Sequence, residues 1–273
     1  MIKDGVDQLN WRQDDQQRRQ EHQVIANWLF PVDHASQQSD FIARLQEGTG
    51  QWLLNSNEFG EWLNDNKKTM FCPGIPGAGK TMIVSIVVEH LSAKFQDDAD
   101  IGIAYLYCNF RQQQEQKPAD LLASLLKQLI QEQDFMPECI KTLYNRHKRK
   151  RTHPSFDEFS KVLHSVIADY SRVFIIIDAL DECQVSDGGR TKFLSNILNL
   201  QAKTGANLFA TSRFIPEITK EFEKCISLEI YARDDDVRKY LDGKMSHLRP
   251  FVLRNSSLQE DIKTKIIEAV DGM

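Results

Sequence analysis

The chain has 273 residues, 41% of them hydrophobic, 27% charged and 9% aromatic, a balance that excludes a disordered chain or a disulfide-stapled peptide and predicts a folded core. Thirty-four Lys and Arg against 39 Asp and Glu give a net charge of -5, which excludes a global drive toward nucleic acid or anionic lipid, so any bound anion must be held locally. The five cysteines (Cys72, Cys108, Cys139, Cys183 and Cys225) form no CxxC pair and the seven histidines no HExxH, which argues against zinc and for a reducing, cytoplasmic setting.

Asp7 to Gln23 holds six glutamines among many charges and reads as a solvated helix or flexible lead-in. Trp28, Leu29, Phe30 and Pro31 end it. Phe41, Ile42 and Leu45 then recur at helical spacing until Gly48-Thr49-Gly50 breaks the pattern, and Trp52-Leu53-Leu54, Phe59 and Trp62-Leu63 supply a second apolar face. The expected division is a polar segment over 1–23, a helical lead-in over 24–68, an α/β core over 69–232 and the start of a helical subdomain over 233–273. No window approaches the ~18 apolar residues of a membrane span.

From Thr69 short β-prone runs alternate with longer helical ones, the pattern of an α/β fold with a parallel sheet flanked by helices. Strands are expected at 69–72, 101–108, 173–177, 207–211 and 226–230. Between them fall helices over about 80–94, from Pro118 along a leucine stripe, after a Ser155/Glu158 capping box, and over about 190–203 before Gly205. From Asp234 the chain turns helical, and Ser257 with Glu260 reads as the cap of one last helix. His147-Lys148-Arg149-Lys150-Arg151 reads as a solvated helix end rather than a nucleic-acid patch, because the whole chain is acidic.

Gly74-Ile75-Pro76-Gly77-Ala78-Gly79-Lys80-Thr81 matches GxxxxGK[ST] in full, between an expected strand and an expected helix. Glycines let backbone N–H groups curl around a phosphate, and the helix start adds its dipole. Lys80 would then place a cation on the β- and γ-phosphates, and Thr81 would offer a hydroxyl to Mg²⁺. The apolar run Val173 to Ile177 delivers Asp178 at its carboxyl end, the Walker B arrangement, in which Asp178 holds Mg²⁺ directly or through water. Asp181 and Glu182 are candidates to orient the attacking water. Ala179 occupies the place directly after Asp178 where a strong base commonly sits, so slow turnover is expected. Arg213, after the strand at 207–211, is a candidate to sense a γ-phosphate, with a surface loop arginine as the alternative. No NKxD motif reads guanine, which favours adenine and hence ATP and ADP.

The order of Gly74 to Thr81, Asp178-Ala179-Leu180-Asp181-Glu182 and Thr211-Ser212-Arg213 resembles the NACHT branch of the STAND NTPases. Trp28-Leu29, Gly48 to Leu54, Phe59 and Trp62 resemble the lead-in of fungal NACHT proteins with a nephrocystin-like P-loop module. Asp235-Asp236-Val237 with Tyr240-Leu241 resembles the start of that family's helical subdomain. The resemblance implies a nucleotide-controlled signalling switch that self-associates or co-assembles with related proteins, with no direct nucleic-acid or membrane partner. Asp271-Gly272-Met273 falls where relatives continue into further helical, winged-helix and repeat segments, so a truncated form is expected. The alternatives are a motor-type ATPase and a non-enzymatic decoy that co-assembles with longer relatives.

Overall fold

The computed structural model describes residues 2–30, 34–109, 117–131, 133, 135–183, 188–246 and 248–270, with only the backbone described for 2–15. Four helices come first: α1 (Ile2–Leu29), α2 (His34–Arg44), α3 (Gln51–Leu54) and α4 (Asn57–Asn64). The α/β part follows as β1 (Thr69–Pro73), α5 (Lys80–Lys94), β2 (Ile101–Tyr107), α6 (Pro118–Gln131), α7 (Glu138–Lys150), α8 (Phe156–Ala168), β3 (Arg172–Asp178), α9 (Gly189–Thr204), β4 (Asn207–Ser212), α10 (Pro216–Thr219) and β5 (Ile226–Ser227). Last come α11 (Asp234–Met245), α12 (Pro250–Leu253) and α13 (Ser256–Val270).

The five strands form one parallel sheet in the order β2-β3-β4-β1-β5. Successive strand residues point to opposite faces, and each face builds its own core. Val173, Ile175 and Ile177 of β3 join one core with the leucine stripe of α6, with α8 and α9, and with Ile25, Ala26 and Leu29 from the end of α1. Phe174 and Ile176 join the other with α5 and α4. The lead-in helices therefore cover both faces of the sheet. Residues 16–21 of α1 are exposed, as its charge and glutamines require, and burial begins at Ile25.

Trp62 anchors α4 to the sheet. It is fully buried, its rings meet Phe174 and Phe209 edge-on at 5.3 and 5.5 Å, and its Nε1 donates to the Leu208 carbonyl at 2.9 Å. Asn207 Nδ2 returns a bond to the Trp62 carbonyl at 2.5 Å.

Three local expectations change. The last helix is capped by Asn255, whose Oδ1 accepts from Leu258 N–H at 3.1 Å, and Glu260 pairs with Lys263 and Arg238 instead of closing a box with Ser257. β5 spans two residues, although Leu228 and Ile230 continue the bonding to Phe71 and Pro73 carbonyls at 3.1 and 2.7 Å. Within the basic helix end His147 is buried, bonded to Thr152 Oγ1 at 2.8 Å and Glu158 at 3.2 Å, so only its neighbours are solvated. The Ser155/Glu158 capping box is present, and its backbone bond with the His147 contact holds the Glu158 carboxyl down at about 2. Among the described residues no helix is long and apolar enough to cross a membrane. Residues 271–273, where further segments were expected to begin, lie outside the described part.

Candidate nucleotide site

Parallel pairing aligns the carboxyl ends of β1, β3 and β4, with Pro73 beside Ser212 and Ile177 beside Ala210. Such an edge is where open α/β sheets bind ligands. The loop from Gly74 to Gly79 leaves β1 there and turns into α5, for which Gly79 is the N-cap. Gly77 and Gly79 have φ of 84° and 89°, a region costly for any side chain, so these two positions fix the curl. Gly74 is required for a different reason: a Cβ there would lie 2.3 Å from the Ile230 carbonyl oxygen. Ile75 packs on the core beneath, Pro76 and Gly77 form the exposed crest, and Ala78 is buried.

Lys80 Nζ donates to the carbonyls of Gly74 and Ile75 at 2.8 and 2.9 Å, bracing the loop across its mouth. Burial lowers its pKa, while the Asp181 and Asp178 carboxylates oppose that shift. Thr81 Oγ1 donates to Asp178 Oδ2 at 2.6 Å, and Thr211 Oγ1 donates to Asp178 Oδ1 at 2.6 Å. Asp178 is buried, and that burial raises its pKa against the pull of the two hydroxyls and of Lys80. Thr211 also accepts from the Ala179 N–H at 2.9 Å. Ala179 sits at φ 54°, ψ 55°, a left-handed conformation that a small side chain tolerates best. The tiny residue after Asp178 thus lets the chain turn sharply into the 3₁₀ turn Leu180–Glu182.

That turn brings Asp181 under Arg213. Asp181 accepts from Arg213 N–H at 2.9 Å and from its Nε at 2.5 Å. Burial alone would raise Asp181, but the bonds and charge of Arg213 bring its pKa below the ordinary carboxylate value. Glu182 lies close enough to Lys80 and Arg213 to act on both electrostatically. Lys80, Thr81, Asp178, Asp181, Glu182 and Arg213 are therefore neighbours at one sheet edge.

Mg²⁺ prefers a few hard oxygen donors with phosphate oxygens and water making up the rest. Thr81 Oγ1 and Asp178 Oδ2, adjacent at the start of α5, fit that pattern. Among the described residues no group of three or more His, Cys, Asp or Glu could hold a metal by itself.

Beside Gly77 to Gly79 opens a cleft of about 540 Å³, walled by Trp52, Ile83, Ile86, Tyr231, Val237 and Tyr240. Its far wall is braced between the segment leading into α3 and helix α11. Asp236 Oδ2 accepts from Gly50 N–H at 2.9 Å and from Trp52 Nε1 at 3.1 Å, and Lys239 Nζ donates to the Gly48 carbonyl at 2.8 Å. The Arg233 guanidinium lies 4.1 Å from the Trp52 ring centre and 5.3 Å from that of Tyr231. Thr211, Asp236 and Arg233 are the residues of this site to which the sequence alone assigned no role. Thr211 and Asp236 stand in the motifs that carry the family resemblance, but nothing in those motifs names their partners; the fold brings them to Asp178 and Gly50.

The family model described as "Nephrocystin 3, N-terminal" matches residues 48–213. Vegetative incompatibility protein HET-E-1 of Podospora anserina is 21% identical over 238 residues, covering 81% of this chain and 17% of the relative, so the chain spans about a sixth of that protein. Among solved structures, AMPPCP-bound DnaA from Aquifex aeolicus is 16% identical with a TM-score of 0.40, over 81% of this chain and 62% of that one. Cdc6p from Pyrobaculum aerophilum is 14% identical with a TM-score of 0.43, over 74% and 50%.

Proposed function

Because the chain belongs to the nephrocystin 3 N-terminal family, a group of P-loop NTPase modules, we propose that it binds ATP and ADP with Mg²⁺ and works as a slow-hydrolysing switch in a signalling protein of the NACHT type. The convergence of Lys80, Thr81 and Asp178 at the loop carries this reading. The loop amides and the start of α5 would bind the phosphates, Lys80 would exchange the Gly74 and Ile75 carbonyls for the β- and γ-phosphates, and Thr81 with Asp178 would hold Mg²⁺. Bound there, Mg²⁺ supplies charge neutralisation at the transferring phosphoryl group. The apolar cleft beside the loop receives the adenine.

Slow turnover is supported by the acids themselves. Ala179 stands directly after Asp178, and Asp181, a candidate to orient water, has both oxygens engaged by Arg213. The likeness to a vegetative incompatibility protein supports a role in signalling; the same reading takes the cytoplasm as its setting and self-association or co-assembly among related chains as its output.

Calorimetry with Mg-ATP, Mg-ADP and Mg-GTP, with light scattering alongside, tests this. Charge-assisted contacts of about 1.5–3 kcal/mol make Lys80→Ala weaken Mg-ATP binding roughly ten- to 150-fold. A folded Lys80→Ala protein with unchanged affinity removes the nucleotide assignment, and a turnover on the order of 1 per second or faster favours a motor-type ATPase.

A further inference from the structure

Two cysteines that sequence spacing leaves apart, 75 residues from one another, meet beside the acidic motif. Cys108 follows β2, and its N–H donates to the Asp178 carbonyl at 3.2 Å, extending the strand pairing by one residue. Cys183 ends the 3₁₀ turn that carries Asp181 and Glu182, its N–H donating to the Leu180 carbonyl at 3.3 Å. Both are buried, and their sulfur atoms lie 2.7 Å apart, inside ordinary contact distance for two sulfurs. All five cysteines are free thiols, and the other buried one, Cys72, belongs to the core on the opposite face of the sheet.

We propose that Cys108 and Cys183 are a redox modification site, oxidised by hydrogen peroxide to a reversible disulfide that fastens the Asp181–Glu182 turn to the end of β2. One thiolate attacks the peroxide O–O bond, becoming a sulfenic acid as the first water leaves. The partner thiolate attacks that sulfur, forming the S–S bond and releasing the second water. Two electrons leave the sulfur pair, two thiol protons go to the waters, and a dithiol reductant reverses the change. Both thiols are buried, so peroxide reaches them only as the turn opens, and the adjacent sulfurs close on one another once either is oxidised. That the fastened turn slows ATP turnover rests on the nucleotide reading above; the crosslink itself does not.

The full chain is treated with peroxide at about pH 8.5, quenched, denatured, alkylated and mapped by mass spectrometry. Reactive thiols should fall from five to three, with a mass loss of about 2 Da before alkylation and one crosslinked peptide pair joining Cys108 to Cys183. Dithiothreitol should restore all five. The Tm of the oxidised chain should rise by a few degrees, because the crosslink closes a long loop in the unfolded chain. Cys108→Ser and Cys183→Ser should each abolish the pair while leaving the Tm unresponsive to peroxide. Sulfinic acid at either cysteine without a crosslink, a crosslink through Cys72, Cys139 or Cys225, or a lowered Tm overturns the proposal. A mapped crosslink with unchanged ATP turnover overturns its regulatory half alone.

Discussion

Arg213 grips the Asp181 carboxylate twice, through its backbone N–H at 2.9 Å and its Nε at 2.5 Å. The Asp181 side chain is 1% exposed while that of Arg213 is 47% exposed, so the acid is fixed and the cation retains access to solvent. An arginine held in this way reaches a phosphate only by swinging about Asp181 or by leaving it. Were Arg213 to sense a phosphate, that sensing and the ordering of the acidic turn would be one event.

Asp181→Asn should cost about 1–2 kcal/mol at neutral pH, with the lower end favoured because solvent screens the exposed half of the pair. Its folded pKa is depressed, so its stabilisation is complete above the ordinary carboxylate range and is lost as pH falls through the lowered value. Comparing Tm of wild type and Asp181→Asn from pH 7 down to about pH 2 should show the two curves converging in acid. Parallel curves would show that the carboxylate charge contributes nothing.

Asp178 carries the opposite sign. Burial raises its pKa, so the ionised form costs stability that protonation restores, and the cost grows as pH rises through the raised value. Asp178→Asn is therefore expected to leave the Tm at neutral pH equal or higher. The same change should abolish the Mg²⁺ dependence of ATP binding while the loop amides keep some metal-free affinity. Titrating Mg²⁺ against the folded variant checks both halves, and a destabilised variant with normal metal dependence contradicts both.

Thr211→Val keeps the shape of the side chain but removes the hydroxyl that bridges Asp178 Oδ1 and the Ala179 N–H. Two buried polar groups lose a partner, at about 1–3 kcal/mol. The Tm should fall by about 2–4 °C per kcal/mol, and Mg-ATP affinity should fall with it. Thr211→Ser, which restores the hydroxyl, should recover most of both.

Trp62→Phe keeps most of the apolar body and loses the bond to the Leu208 carbonyl, while Trp62→Ala also leaves a cavity between Phe174 and Phe209. Costs of about 1 kcal/mol and about 3–5 kcal/mol are expected. Urea unfolding distinguishes them; equal losses would mean that the indole bond, not the packing, holds α4.

The bend of the loop Gly74 to Thr81 is legible because Gly77 and Gly79 hold backbone angles that few residues adopt, and that constraint is written locally. The strands were legible for the same reason: Val173 to Ile177 are apolar at every position, as a strand buried on both faces must be. Contacts across long stretches of chain leave no such mark. Asp236 bonds Gly50 across 186 residues and Thr211 bonds Asp178 across 33, and neither residue type announces its partner. The cap at Asn255 is masked in the sequence because the Ser257/Glu260 spacing imitates a capping box two residues beyond the real start.

The 2.3 Å approach of the Ile230 carbonyl to the space beside Gly74 bears on the order in which the molecule acquires its shape. β1 is flanked by β4 and β5, both far downstream in the chain, so its edges stay unpaired until those strands arrive. Closing so long a loop carries an entropic cost that must be met before the contacts it brings can repay it. The loop, although complete as a sequence by Thr81, is anchored by Gly74 N–H on the Ser212 carbonyl at 3.0 Å and by Ile230 N–H on the Pro73 carbonyl at 2.7 Å, bonds that form only once the segment through Ile230 has docked. A ribosome must therefore release about 150 further residues before the loop is held from both sides, and on the proposed reading nucleotide capture becomes a late report on the completeness of the whole sheet.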